Sequence, residues 1–277
     1  MALDCKFPLV LAPTGMVPTK AITPFVPITP EEIIADVKAC YEIGITSVHL
    51  HARDKSGAPT WDKDVYSEII YGIREFAPLL PINVSTSGRN WSDLEKRGDC
   101  LALMGDLKPD LASLTTSSLN FISGASVNSP DTVRQLARIM LERGITPELE
   151  LFDLGMVNAV SVLKKEGLLP GAVVANLFFG NIYGAQTRPI EIAAMISGLP
   201  SGAIWSGAGI GDFQAQAHAL SLASGGGVRT GIEDSIYLDR SKKKLAKNAD
   251  LVSRVHAMAA TLNREVMPAS EFKALLS

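Results

Sequence analysis

The stretch Thr46-Ser47-Val48-His49-Leu50-His51-Ala52-Arg53-Asp54 opens as a short apolar, β-branched run and closes on polar residues. Alternate residues of a strand point to one face, so His49 and His51 leave the backbone side by side. The chain has four histidines, and two of them share this i, i+2 spacing at the polar end of one buried strand. Imidazole nitrogen suits Zn, Cu, Fe and Ni. The pair therefore reads as part of a metal site, with two hydrogen-bonded histidines at a strand end as the alternative.

Working outward, runs of the same length recur at 7–12, 46–51, 81–86, 110–114, 147–152, 172–178, 203–206 and 227–232. Most are continuously apolar, as expected for parallel strands buried on both faces. Helical patterns lie between them. Thr29-Pro30-Glu31-Glu32 supplies an N-cap, a first-turn proline and acids at the helix start. Ser129-Pro130-Asp131 repeats the device, and Gly144 closes that helix. Further helices are predicted over 65–76, 92–104, 156–166, 190–198, 213–224 and 245–262. Eight strands alternating with eight helices predict a closed (β/α)8 TIM barrel, one domain spanning 1–277. A doubly wound open sheet is the other architecture with this alternation. No Gly-x-Gly-x-x-Gly element opens a helix near the first strand, which argues against a dinucleotide site.

Composition narrows the function classes. The 277 residues are 47% hydrophobic and 20% charged, with a net charge of −3. No basic footprint for nucleic acid is present. No apolar run reaches membrane-spanning length, and the N-terminus lacks a signal pattern. Cys5, Cys40 and Cys100 are scattered and odd in number, so they read as reduced, cytoplasmic thiols. The basic stretch 241–247 reads as a solvated helix start, with contact to an anionic substrate tail as the alternative.

Active sites of this barrel sit at the C-terminal ends of the strands. Polar residues gather there: His49 and His51 after the second strand, Ser85 to Gly88 after the third, and Thr115 to Ser117 after the fourth. Glu148 and Glu150 share one face of the fifth. Asn176 lies in the sixth, Ser206 ends the seventh, and Arg229, Glu233 and Asp234 end the eighth. In a closed barrel the eighth strand neighbours the first, and the first neighbours the second, at a spacing a little under about 5 Å. Glu233 then falls within reach of His49 and His51. Two histidines and a carboxylate with open positions make a catalytic rather than a structural metal site. The competing reading pairs Glu233 with Arg229. His218 and His256 fall on helices and read as packing or surface residues. Trp205 reads as a pocket wall or as a buried barrel aromatic. The loop 180–184 reads as part of the pocket or as a plain turn.

Several blocks together carry a resemblance. They include Ala12-Pro13-Thr14-Gly15, Pro24-Phe25-Val26-Pro27-Ile28-Thr29-Pro30-Glu31-Glu32-Ile33, and Val48-His49-Leu50-His51-Ala52-Arg53-Asp54. Further along come Ser113-Leu114 with Asn120-Phe121, Pro147-Glu148-Leu149-Glu150-Leu151-Phe152-Asp153, and Trp205 with Gly209-Ile210-Gly211. The last is Gly226-Gly227-Val228-Arg229-Thr230-Gly231-Ile232-Glu233-Asp234. The chain resembles the β-keto acid cleavage enzymes. The resemblance implies Zn2+ held by His49, His51 and Glu233, with Arg229 and Asp234 as the catalytic pair. It also implies that Ser85 helps hold the β-keto acid, and Gly88, Thr115 and Glu150 stand with it as candidate substrate contacts. The implied reaction condenses a β-keto acid with acetyl-CoA, giving acetoacetate and a new acyl-CoA, in a homotetramer. The same metal set in an aldolase or hydrolase that uses no CoA is the alternative.

Two positions depart from the family pattern. Val17 stands where members acting on an amino-substituted keto acid tend to carry an acid. An unpaired ammonium against it would lose hydration without a partner. The favoured substrate is therefore expected to be neutral or apolar at its far end, or to carry a negative group that meets a cation. Gly227 stands where many members have histidine, and a more open loop is expected there.

Overall fold

The computed structural model describes residues 5–276. Eight parallel strands close into a barrel in chain order: β1 (Leu9–Leu11), β2 (Ser47–Leu50), β3 (Ile82–Val84), β4 (Leu111–Thr115), β5 (Thr146–Leu151), β6 (Val174–Phe179), β7 (Ile204–Gly209) and β8 (Gly227–Thr230). Closure is made by β8 on β1, with Arg229 opposite Val10, and by β1 on β2, with Val10 opposite Ser47. All four residues of β2 and all six of β6 are buried. Helices cover the outer face of the ring, which explains why these strands read as unbroken apolar runs.

Among the described residues nine α-helices accompany the ring: α1 (Pro30–Ile43), α2 (Lys63–Phe76), α3 (Leu94–Gly98), α4 (Pro130–Glu142), α5 (Leu154–Lys165), α6 (Pro189–Gly198), α7 (Gln214–Ala223), α8 (Asn248–Ala260) and α9 (Ala269–Leu275). Local chemistry sets their starts. The Thr29 hydroxyl accepts from the Glu32 N–H, and Glu32 reaches back to the Thr29 N–H. Ser129 accepts from the Thr132 N–H, and Gly144 ends α4 at φ +61°. Ile33, Val37 and Cys40 of α1 are fully buried. Burying an aliphatic side chain of this kind stabilises by about 1.5–3 kcal/mol.

Four expectations are corrected. The helix expected over 92–104 shrinks to α3 followed by two 3₁₀ turns, Asp99–Ala102 and Gly105–Leu107. Gly105 takes φ +60°, which a continuing helix cannot accommodate. The last long helix begins at Asn248 rather than 245, and 241–247 is not its start. There the Asp239 carboxylate accepts the Lys243 and Lys244 N–H groups, and Lys242 takes φ +58°, which fixes a turn. Ser206 does not end the seventh strand, which runs on to Gly209. Ser206 faces Asn176 and Gly227, in the lower part of the barrel. Gly227 opens no loop. It is buried at the start of β8, where a Cβ would stand 2.3 Å from the Pro8 carbonyl oxygen.

Two short hairpins, Ala52–Arg53 with Pro59–Thr60 and Leu119–Phe121 with Gly124–Ser126, extend the loops after β2 and β4. Among the described residues no helix is long and apolar enough to cross a membrane. The three cysteines are free.

Candidate active site

Above the C-terminal ends of the strands lies a cavity of about 560 Å³. His51, Ser85, Thr115, Glu150, Arg229, Glu233 and Asp234 all contribute to its wall. His49 sits directly beneath, fully buried, with its Nε2 3.1 Å from His51 Nε2. Gly88 packs instead against Arg97, whose Nη1 would stand 2.7 Å from an added Cβ.

The metal-type set arises from barrel closure. Glu233 Oε1 lies 3.2 Å from His51 Nε2 and 3.7 Å from His49 Nε2. All three residues offer ligand atoms within 4.8 Å of one another. Glu233 is brought in by a close crossing of backbones: Gly15 takes φ +65°, and any Cβ there would meet Glu233 Cγ at 2.6 Å. Arg53 holds that crossing from below, donating to the carbonyls of Gly15, Pro18 and Gly57. Gly231 also lacks room for a side chain, with the Ala12 carbonyl oxygen 1.8 Å from a built Cβ.

Three observations test whether these residues fit a cation. Two imidazole nitrogens on one tetrahedral Zn at about 2.0–2.1 Å stand about 3.3 Å apart, close to the observed 3.1 Å. Glu233 Oε2 is buried with no hydrogen-bond partner among the described residues. Burial, joined by the Arg229 charge, pushes His49 well below the ordinary histidine pKa, so its ring is neutral with a free lone pair. Charge points the same way. Three carboxylates (Glu150, Glu233, Asp234) surround one guanidinium (Arg229), so negative charge exceeds positive beside the two histidines. The residues fit a divalent ion.

Arg229 is the hub of this cluster. Its Nε donates to Asp234 at 3.1 Å and its Nη2 to Glu233 at 2.8 Å, while Glu150 lies 3.7 Å from Nη1. Glu233 pairs with Arg229 and also stands within reach of both histidines. The Arg229 guanidinium stands 4.9 Å from the Phe178 ring centre, and Phe178 stacks on Phe152 at 4.4 Å. Burial works against the Arg229 charge, but Asp234, Glu233 and Glu150 hold its pKa above the ordinary value. Burial raises Asp234 to about 6, with Arg229 opposing. Burial would raise Glu233 too, but His51, Arg229 and His49 together hold it well below the carboxylate range.

Glu148 and Glu150 part company despite sharing a strand face. Glu150 accepts from the Thr115 hydroxyl at 2.7 Å and reaches the cavity. Glu148 is fully buried in the barrel, hydrogen-bonded to Asn83, and burial raises it to about 7. Its Oε2 stands 3.9 Å from His49 Nδ1. Asn83 went unrecognised in the sequence, since a lone asparagine inside an apolar run has no local signature. The Ser85 hydroxyl accepts the Ser87 N–H, which leaves its own proton available to the cavity.

The remaining candidates lie elsewhere. His218 hydrogen-bonds the Arg229 carbonyl from α7 at 2.9 Å, and His256 meets the Gly44 carbonyl at 2.8 Å. Trp205 does not wall the pocket. It is half-buried at the start of β7, and its ring lies against Gly226, at the opposite end of the barrel. Gly180, Asn181 and Ile182 of the loop after β6 do line the cavity.

Comparison with known proteins accords with this geometry. The chain is 35% identical over 275 residues to a 3-keto-5-aminohexanoate cleavage enzyme of Fusobacterium nucleatum, covering 98% of both chains. It is 38% identical over 271 residues to a 3-oxoadipate:acetyl-CoA acetyltransferase of Cupriavidus necator, covering 96% of this chain and 93% of the other. The apo structure of ObcA superimposes with a TM-score of 0.78 at 20% identity, over 91% of this chain and 65% of that one, a likeness of fold. This chain thus spans about two thirds of ObcA's length. The family described as beta-keto acid cleavage enzyme matches residues 6–277, and the chain belongs to that family.

Proposed function

We propose that this protein condenses a β-keto acid with acetyl-CoA, yielding acetoacetate and a new acyl-CoA. The carrying observation is that the metal-type set His49, His51 and Glu233 and the Arg229–Asp234 pair meet at the floor of one cavity. The names of the relatives support the same reaction type. Bound at the three ligands, Zn2+ would supply Lewis-acid charge beside the keto and carboxylate oxygens of the substrate.

The chain's own residues account for the rest. The Ser85 hydroxyl donates to the substrate carboxylate. Thr115 is already committed to Glu150, so its role is to fix Glu150 against Arg229 at the cavity wall. Asp234, more basic than a free aspartate yet ionised at neutral pH, accepts a proton from C2 of the β-keto acid. Arg229 fixes the orientation of Asp234. C2 then bonds to the acetyl carbonyl carbon, and CoA leaves as the thiolate. The thiolate attacks C3, the C2–C3 bond breaks, and the proton on Asp234 returns to C2 of the departing acetoacetate. No covalent intermediate on the protein is needed.

The catalytic unit is one barrel domain over 1–277, assembled as a homotetramer. Its three free thiols suit the reducing cytoplasm. Light scattering in solution tests the assembly. Chelator dialysis followed by return of Zn2+ tests the metal: acetoacetate formation should vanish and reappear. A metal-free enzyme with full activity would refute the zinc assignment. Turnover of the keto acid without acetyl-CoA would favour the aldolase or hydrolase reading.

A further inference from the structure

The wall of the cavity carries three cations, Arg229, Lys242 and Arg89. Two are matched. Arg229 has Glu233 and Asp234, and Lys242 Nζ lies 3.2 Å from Asp212. Arg89 differs. Among the described residues its guanidinium has no carboxylate within ion-pair distance and makes no hydrogen bond, although its backbone N–H donates to Ser87. It lies over the Phe121 ring, 3.6 Å from the ring centre. The other arginines held in this part of the fold are tied to protein acceptors: Arg53 to three carbonyls, Arg97 to the Thr86 carbonyl and Asn128.

A half-buried guanidinium loses hydration, and burial lowers the pKa of Arg89. Stacking on Phe121 holds its plane while leaving all five N–H donors unused. That rigid fork matches the two oxygens of a carboxylate. Val17, Ile22, Ile122 and Ile182 add apolar surface to the same cavity. A cation with no carboxylate partner attracts an anionic group and repels a substrate ammonium. Ser85 lines the same cavity four residues earlier, so one loop can face both ends of an extended substrate.

We propose that Arg89 receives a second carboxylate at the far end of the substrate, making the substrate class a 3-oxo dicarboxylic acid. This rests on the β-keto acid reading. The acyl-CoA formed then carries a free terminal carboxylate, while C1 and C2 leave in acetoacetate as before.

The test compares 3-oxoadipate with 3-oxohexanoate, which differ only in a terminal carboxylate against a methyl group. Wild-type kcat/KM should favour the diacid at least tenfold. Arg89→Gln should bring the ratio to within threefold of unity. Arg89→Lys should fall between them, because it keeps a point charge and loses the fork. A wild-type ratio near unity, or a ratio unchanged in Arg89→Gln, overturns the proposal while the β-keto acid reading stands. A rise in KM for acetyl-CoA with the ratio unchanged also overturns it, assigning Arg89 to the thioester's phosphates. If neither compound is turned over, the reaction reading fails. Titration calorimetry with 3-oxoadipate then decides the anion site: binding weakened by Arg89→Gln upholds it, and binding that is absent or unaffected overturns it.

Discussion

Asp234→Asn separates proton transfer from metal holding. Asp234 is 6% exposed and accepts two hydrogen bonds from Arg229, at 3.1 Å from Nε and 3.3 Å from Nη2. Asparagine keeps one oxygen for Nε but turns an amide toward Nη2. The loss of a charge-assisted bond should cost about 1.5–3 kcal/mol of stability. At about 2–4 °C per kcal/mol for a chain near this size, the melting temperature should fall by about 3–12 °C, leaving the protein folded at 25 °C. Arg229 remains anchored by Glu233 at 2.8 Å, with Glu150 at 3.7 Å. The base itself is gone, and a positioned general base contributes roughly 10²–10⁴ in rate. That corresponds to about 3–5 kcal/mol of barrier at about 1.36 kcal/mol per decade. The assay is kcat for acetoacetate formation, with metal content by elemental analysis and deuterium uptake at C2 of the keto acid. The expected outcome is full metal content, kcat lowered at least a hundredfold, and C2 exchange at the uncatalysed rate. A kcat within threefold of wild type would refute the reasoning. Loss of metal along with turnover would show instead that Asp234 acts through the ion.

Three further outcomes are expected. His49→Ala and Glu233→Ala should each lose bound metal in elemental analysis, since each removes one of three converging ligands; retention of one ion per chain would count against the site. Glu148→Gln should weaken metal affinity by roughly 10–100-fold in chelator competition, because Glu148 stands 3.9 Å from His49 Nδ1 in the position of a second partner orienting the imidazole; an affinity within twofold of wild type would remove that role. Asp36 accepts a hydrogen bond from Asn248 at 2.6 Å, and burial raises its pKa to about 6. A raised folded-state pKa makes stability greatest below about pH 4 and lowers it as pH rises through about 6. After a discount for partial exposure this amounts to about 1–2 kcal/mol. Urea unfolding should show Asp36→Asn free of that slope and more stable than wild type at pH 8, and an unchanged slope would refute it.

Much of the site was legible because the barrel converts order along the chain into adjacency around a ring. Glu233 lies far from His49 in sequence, yet β8, β1 and β2 are consecutive staves, which brings it within 3.7 Å. Arg89 was not legible. An arginine after a Ser-Thr-Ser-Gly segment looks like any loop cation, and its isolation depends on which carboxylates are spent elsewhere. Asn248 escaped notice for a similar reason. It is fully buried and ties the Ile232 N–H, the Pro13 carbonyl and Asp36 together, three partners from three segments of the chain.

By itself the sequence determined the eight strands, the helix caps at Thr29 and Ser129, and the facing of His49 and His51. These depend on side-chain period, local hydrogen bonding and continuous apolar runs, all of which act over a few residues. Only the tertiary structure decided depth. Glu148 and Glu150 are two residues apart on one face, yet one is sealed in the barrel near pKa 7 and the other meets Thr115 at the cavity wall. Height in the barrel set that difference, with Glu148 level with Ser113 and Glu150 level with Thr115, and height also leaves the paired Ser206 and Gly227 off the cavity wall. Height relative to the cavity is fixed by the packing of the whole ring, and water access and partner charges follow from it, so no local pattern in the chain encodes them.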